Sequence, residues 1–251
     1  MCDIDFRNKK ILLTGVGGIG EEIVNTLDYL NATLILVDID EKKLLELRSK
    51  YSSIINTYTC DFGKIDTIEP LIEEIILNNG AIDGFVFSTG IGGTRPFKNS
   101  NYSSMLNVMN VNFFSFIELL RCLTKKNHYN SKLSVVALSS VGAMLGNPGQ
   151  TAYCSSKAAM NGAIRAIAKE LAPKNIRVNS IAPGTTETPM FRNAEESFGK
   201  GSNAFSARLE RQYLGLCTPK DIANSVVFLL SDMSRMITGS CIGVDGGKLT
   251  S

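Results

Sequence analysis

The 251-residue sequence predicts an α/β fold, a parallel sheet of about seven strands covered by helices on both faces. Three observations predict it. Short apolar runs alternate with longer amphipathic segments along the whole chain. The apolar runs are nearly continuous, so both faces of each strand are buried. A glycine-rich turn joins the first strand to the first helix, the point at which such sheets open for ligands.

Lys10-Ile-Leu-Leu-Thr14 is the first strand, ending in glycines. A helix follows over 19–30, with Ile23, Val24 and Leu27 at helical spacing. Residues 33–37 form the second strand, 41–50 a charged helix and 54–59 the third strand. A helix over 65–78 ends before Gly80, and 84–87 is the fourth strand. A long apolar-striped helix runs over 102–124, then a strand over 133–138 and a helix over 152–171. Residues 177–181 are the sixth strand, 222–230 a helix and 241–244 the last strand. The stretch 188–212 lacks a pattern and reads as a lid over the carboxyl edge of the sheet. No repeat or linker divides residues 1–251, which read as a single domain.

Composition excludes several classes. Hydrophobic residues at 44% and charged residues at 20% are ordinary for a globular chain and exclude disorder. Lys plus Arg is 26 and Asp plus Glu 24, a net charge of +2, which argues for neither a nucleic acid nor a membrane partner. No apolar run approaches the roughly 18 residues of a membrane span, and the start has no signal-peptide core. Six cysteines stand apart with no Cys-x-x-Cys, and His128 is the one histidine, so no metal site is expected. Scattered thiols suit a cytoplasmic location and read as small buried hydrophobes; Cys154 stands out only as a neighbour of Tyr153.

Thr14-Gly-Val-Gly-Gly-Ile-Gly20 lies between a strand and a helix, and Gly15, Gly17 and Gly20 fit G-x-G-x-x-G. Glycines let the backbone turn tightly and approach a pyrophosphate, which then meets the N–H groups of the following helix. Asp38 ends the second strand, 18 residues past Gly20. A carboxylate there accepts from the ribose hydroxyls of NAD and repels the 2′-phosphate of NADP, so NAD(H) is favoured over NADP(H). Lys42 and Lys43 follow it, and a plain helix cap is the alternative reading of Asp38.

Tyr153 and Lys157 are four apart near a predicted helix start, hence on one face. A nearby ammonium favours phenolate and fits the tyrosine for proton transfer near neutral pH. By itself the spacing is common by chance and usually marks a surface pair. Ser139 and Ser140 end the fifth strand, and a Gly- and Pro-bearing loop over 141–152 can fold Ser140 back beside the phenol.

With these residues the chain resembles the short-chain dehydrogenase/reductase family, in its branch of about 250 residues with a Rossmann fold. The resemblance runs through the glycine turn, Asp38, Asp61, Gly90, Asn112, Ser139-Ser140, Tyr153-x-x-x-Lys157, Arg177-Val-Asn-Ser-Ile-Ala-Pro-Gly184, Thr188 and Val244-Asp-Gly-Gly247. In outline it is similar to 3-oxoacyl-acyl-carrier-protein reductases, which usually prefer NADPH. The resemblance implies an NAD(P)(H)-dependent enzyme that interconverts a secondary alcohol and a ketone. Tyr153 is then the acid/base, Lys157 its partner and a ribose ligand, Ser140 the substrate-orienting hydroxyl, and Asn112 a helix-kinking residue that seats a relay water. An ordinary polar helix residue is the alternative for Asn112, and Asn110 stands close by. Gly15, Gly17, Gly18, Ile19, Gly20, Asp61, Phe62, Gly90, Pro183, Gly184, Thr186 and Thr188 complete the implied cofactor contacts. The family also implies a homotetramer or homodimer and a small-molecule carbonyl or alcohol substrate.

The chain departs from the family pattern twice. Its glycine loop is one residue shorter than T-G-x-x-x-G-x-G, which implies a tighter phosphate cradle. Phe87-Ser-Thr-Gly90 replaces Asn-Asn-Ala-Gly, so Phe87 must tie the strands by packing. Arg192, Lys200, Arg208 and Arg211 in the lid, against Glu195, Glu196 and Glu210, with Arg95 and Lys98 nearby, hint at an anionic substrate such as an acyl-carrier thioester or a nucleotide sugar; a solvated surface is the plainer reading. The rival functions are a catalytically silent cofactor-binding protein and a sugar-nucleotide dehydrogenase, epimerase or dehydratase. The sequence as it stands offers no extra C-terminal domain for that last group.

Overall fold

The computed structural model describes residues 4–189, 191–192 and 210–250. Lys200, Arg208, Glu195 and Glu196 of the expected lid lie outside the described residues. Among the described residues, seven strands form one sheet: β1 (Lys10–Thr14), β2 (Thr33–Asp38), β3 (Ile54–Thr59), β4 (Ile82–Phe87), β5 (Tyr129–Leu138), β6 (Ile176–Pro183) and β7 (Cys241–Val244). Their order is β3-β2-β1-β4-β5-β6-β7 and each pairing is parallel. The chain leaves β1 toward β2 and β3, then returns to β4 on the other side of β1. The crevice between the carboxyl ends of β1 and β4 is the topological switch point where open α/β sheets bind ligands.

Alternation along the strands divides the core into two apolar layers. Ile11, Leu13, Leu34 and Leu36 face one way, onto α1 (Ile19–Tyr29), α2 (Glu41–Lys50) and α8 (Pro219–Leu230). Leu12, Ile35, Val37, Phe85 and Phe87 face the other, onto α3 (Ile68–Asn79), α5 (Ser115–Leu123) and α7 (Thr151–Leu171). Phe87 is fully buried, its ring 5.3 Å from that of Phe116 and 6.4 Å from that of Phe85. Aromatic packing therefore stands where the family's strand-tying asparagine would be, worth about 1.5–3 kcal/mol for the buried side chain.

The apolar stripe predicts one continuous helix, and the break in it falls at Asn112, where the family resemblance implies a kink. The helix runs as α4 (Tyr102–Met109), a π-helical turn (Asn110–Phe114) and α5. By length and composition its 22 residues, Tyr102–Leu123, would suffice to cross a membrane, a span that the apolar runs of the sequence do not predict. Phe116, Leu119, Leu120, Cys122 and Leu123 instead pack in the sheet's apolar layer, as a core helix does. A short helix, α6 (Gly142–Leu145), occupies part of the loop expected after β5. Helix α8 starts three residues before its apolar stripe because Pro219 opens it and a Thr218–Asp221 capping box closes its first turn.

Candidate active site

The carboxyl ends of the strands surround a cleft of about 1040 Å³. That is at the upper end of the roughly 300–1,000 Å³ typical of small-molecule sites. Gly15, Asp38, Asp61, Ser88, Ser140, Pro183 and Lys248 all lie on its wall, each just past or at the end of a different strand.

The glycine turn forms one lip. Gly15 has φ 80°, and a Cβ on it would stand 2.5 Å from the Thr89 nitrogen. A Cβ on Gly20 would stand 1.9 Å from the Gly15 carbonyl oxygen. Gly20 is thus behind the turn and supports it; it does not line the cleft, whereas Gly17, Gly18 and Ile19 do. Gly17 faces open space, and a Cβ on it would meet nothing within 4 Å. The shorter loop closes by turning Val16 inward, where it is fully buried, and its N–H donates to Asp38 Oδ2 at 2.7 Å. Asp38 Oδ1 accepts from the Asp40 N–H at 3.0 Å. The helix cap is Asp40, whose side chain accepts from the Lys43 N–H, so the capping alternative for Asp38 is set aside.

Farther along, Asp61 and the buried Phe62 line the cleft, with Asp61 Oδ1 held by the Gly63 N–H at 2.9 Å. The Thr89 hydroxyl, also on the wall, is buried and has no partner among the described residues. An unpartnered hydroxyl, a glycine cradle at a helix start and an anchored carboxylate at the far end together fit a dinucleotide.

The segment after β5 and the start of α7 bring the predicted acid/base pair and Ser140 to the cleft. The Lys157 side chain is 3% exposed, and its Nζ donates to the Leu138 carbonyl at 2.7 Å. Burial pulls its pKa down to about 8. The ammonium lies 5.9 Å from the Tyr153 ring centroid, and a Cβ on Gly90 would approach it to 3.3 Å. Gly90 thus leaves room for the ammonium. Tyr153, Lys157 and Ser140 share the cleft wall. Ser140 Oγ accepts from the Gly142 N–H at 3.0 Å, which leaves the hydroxyl proton for another acceptor.

Asn112 is not on that wall. It sits fully buried in the π turn, which distinguishes it from half-buried Asn110. Its Oδ1 accepts from the Ile91 N–H at 2.8 Å, and its Nδ2 donates to the Ile91 carbonyl at 3.0 Å and to Ser156 Oγ at 3.1 Å. Ser156 in turn donates to the Tyr153 carbonyl at 2.7 Å. One amide therefore ties the segment after β4 to the start of α7.

Pro183, Gly184, Thr186 and Thr188 also line the cleft, beside the end of β5, where the Val141 N–H donates to the Pro183 carbonyl at 3.1 Å, and Thr188 stands against the glycine turn, 3.5 Å from a Cβ position on Gly18. Two further residues, Lys248 on the cleft wall and Gln212 behind it, are not predicted by the sequence. Gln212 is 3% exposed; its Oε1 accepts from the Thr185 N–H at 2.8 Å, and its Nε2 donates to the Thr185 carbonyl at 3.0 Å and the Gly215 carbonyl at 2.7 Å. Lys248 is 4% exposed and donates from Nζ to Thr185 Oγ1 at 2.8 Å, on the cleft wall. Their one signal in the sequence is position, at the end of the unpatterned stretch and directly after Val244-Asp-Gly-Gly247.

A family model described as "Enoyl-(Acyl carrier protein) reductase" matches residues 15–248. A short-chain dehydrogenase/reductase of Botryotinia fuckeliana is 35% identical over 257 aligned positions, covering 98% of this chain and 99% of its own. The chain belongs to the short-chain dehydrogenase/reductase family. A 3-oxoacyl-acyl-carrier-protein reductase of Thermotoga maritima is 34% identical, with 96% of this chain and 98% of the relative covered. The solved structure of a levodione reductase superposes with a TM-score of 0.89 at 26% identity, covering 98% of this chain and 99% of that one. The short-chain dehydrogenase/reductase described above is thus an NAD(P)(H)-dependent oxidoreductase acting on CH–OH and keto groups of small molecules.

Proposed function

We propose that this single-domain chain, 1–251, interconverts a secondary alcohol and a ketone with NAD(H), using Tyr153 as the acid/base. The observation that carries the reading is the buried Lys157 ammonium beside the Tyr153 ring, in the same cleft as Ser140. When bound, the nicotinamide supplies or takes the hydride. Tyr153 gives a proton to the ketone oxygen, or takes one from the alcohol. Lys157 favours the phenolate through its positive charge. Ser140, its oxygen already accepting from Gly142, directs its proton at the substrate oxygen and holds it in place. Asn112 is read as a positioning residue, because its amide is engaged with Ile91 and Ser156.

Asp38 supports NAD(H). Its carboxylate is fixed by two backbone N–H groups and faces the ribose end of the cleft, where a 2′-phosphate would add a second negative charge. Lys43 does not offset it, because its ammonium pairs with Glu21 at 3.0 Å and Glu46 at 3.1 Å. Gly15, Gly17, Gly18 and Ile19 receive the pyrophosphate, Asp61 and Phe62 the adenine, and Pro183, Gly184, Thr186 and Thr188 the carboxamide side. A homotetramer or homodimer is part of this reading, supported by α4, none of whose residues is buried, with Tyr102 78% exposed. Light scattering at micromolar concentration reads it. Burial of Cys60, Cys122 and Cys217 as free thiols is consistent with the cytoplasm.

The test is NADH oxidation across a panel of ketones, 3-oxoacyl thioesters and nucleotide sugars, with wild type and Tyr153→Phe. The variant should bind NADH normally and lose roughly 10²–10⁴-fold in kcat. Equal rates would remove the role of Tyr153, and NADH binding with no turnover of any substrate would favour a catalytically silent protein.

A further inference from the structure

Gln212 is buried without lining the cleft; its side chain lies behind the part of the wall made by Gly184, Thr185, Thr186 and Thr188. Two glycines make its space. A Cβ on Gly184 would stand 2.6 Å from Gln212 Oε1, and one on Gly246 would stand 2.7 Å from its Cγ. The amide is thereby wedged between the turn after β6 and the turn after β7.

In that slot the amide pairs with Thr185 as a second peptide group would. Its Oε1 accepts from the Thr185 N–H, and its Nε2 donates to the Thr185 and Gly215 carbonyls. A backbone bridge between Thr186 and Cys217 runs alongside. In it the Cys217 N–H donates to the Thr185 carbonyl at 3.1 Å and the Glu187 N–H to the Cys217 carbonyl at 3.0 Å. The bridge needs no help from Gln212 to hold the carbonyl. The Thr185 N–H, by contrast, is held by the Gln212 amide alone among the described residues. On the cleft side of this clamp stand Thr186 and Thr188, and Thr188 abuts the glycine turn, so a shift of Thr185 is passed directly to both.

We propose that Gln212 is a positioning residue for the nicotinamide end of the cofactor, fixing the Thr185 backbone so that Thr186 and Thr188 meet the carboxamide. The inference rests on the proposed seating of NAD(H). Gln212 itself touches neither cofactor nor substrate; it acts through the three residues that follow Gly184.

Gln212→Glu keeps the shape and changes the donors. Its ionised carboxylate accepts from the Thr185 N–H but repels the Thr185 and Gly215 carbonyls, whereas its protonated form regains one donor. Burial among carbonyl oxygens raises the pKa of such an acid, so the variant should be impaired at about pH 8.5 and improved at about pH 6. Cys217, Glu187, Asp245 and Lys248 are the titratable groups on the segments around it, and both proteins carry them, so each affinity is taken relative to wild type at the same pH. Calorimetry reads NADH and ADP-ribose, which lacks the nicotinamide. At the higher pH Gln212→Glu should lose about 10-fold in NADH affinity and stay within about 2-fold for ADP-ribose, and at the lower pH the NADH deficit should shrink to about 3-fold. Gln212→Met, with no comparable donor, should show the NADH deficit at both pH values. The proposal is overturned by NADH affinity in Gln212→Glu equal to wild type at the higher pH, or by a deficit that ignores pH. Parallel losses for NADH and ADP-ribose, as a general loosening would give, overturn it too. A wild type that binds NADH no more tightly than ADP-ribose would sink the seating of the nicotinamide and this role with it, whereas normal NADH binding with unaffected variants would sink the role alone.

Discussion

Replacing Asn112 by alanine removes a fully buried amide that makes three hydrogen bonds, to the Ile91 N–H, the Ile91 carbonyl and Ser156 Oγ. At about 1 kcal/mol net for each neutral bond the direct loss is roughly 3 kcal/mol. Ile91 is half-buried and regains some water, and Ser156 keeps its bond to the Tyr153 carbonyl, which lowers the figure; the vacated volume raises it. The net is about 2–4 kcal/mol. For a chain of this size each kcal/mol moves Tm by about 2–4 °C, so Tm should fall by about 5–15 °C. Ser156→Ala removes one of the three bonds together with the bond from Ser156 to the Tyr153 carbonyl, and should cost about two thirds as much. Thermal melts of the three proteins, with and without NADH, check the stability, and kcat/KM at a permissive temperature checks the site. An Asn112→Ala protein that melts within about 2 °C of wild type at unchanged kcat/KM would refute the reasoning. An unchanged Tm with collapsed activity would make the amide a direct participant in proton transfer.

Lys157 has a folded pKa of about 8, below its ordinary 10.5, because burial disfavours its charge. Between these values the unfolded chain holds the extra proton, so this group's contribution to stability rises with pH across that window and is least below about 8. Urea midpoints should therefore rise with pH there in wild type relative to Lys157→Met, and kcat/KM should break near pH 8 as the ammonium is lost. Gly17→Ala and Gly20→Ala should separate affinity from folding. The first places a methyl in open cleft space and should weaken NADH binding at least 10-fold with Tm unchanged, whereas the second drives a methyl into the Gly15 carbonyl and should lower both, as melts and fluorescence titration will show. Wild type should bind NADH at least 10-fold more tightly than NADPH, and Asp38→Ala should narrow that ratio; calorimetry giving NADPH as the tighter ligand would show Asp38 to be misassigned.

The order of strands and helices is legible because buried parallel strands advertise themselves as apolar runs, and the two layers follow from the alternation of Ile11, Leu12 and Leu13. The π turn at Asn110–Phe114 does not show in the apolar pattern, because an extra residue in a helical turn leaves the stripe on either side intact, and only the resemblance that makes Asn112 a kinking residue points to it. The same limit makes a core helix look long enough for a membrane once its full length is known. Of the site, Tyr153, Lys157, Ser140 and Asp38 stand out because their chemistry shows in local spacing, and all four line one cleft. Gly20 and Asn112 read as functional residues in the sequence, and the structure puts both behind the wall. Gln212 and Lys248 escape because their partners are distant in sequence. Gln212 meets a residue 27 positions away and Lys248 one 63 positions away, so only the folded chain brings them together.

The strand order β3-β2-β1-β4-β5-β6-β7 also bears on how the protein is made. From the fourth strand onward, each newly synthesised strand docks beside one that has already left the ribosome. The growing sheet thus always offers a ready edge, and no later segment has to be threaded between strands already joined. The half that would seat the adenosine is synthesised first, while the final strand, only four residues long, arrives last and completes the sheet.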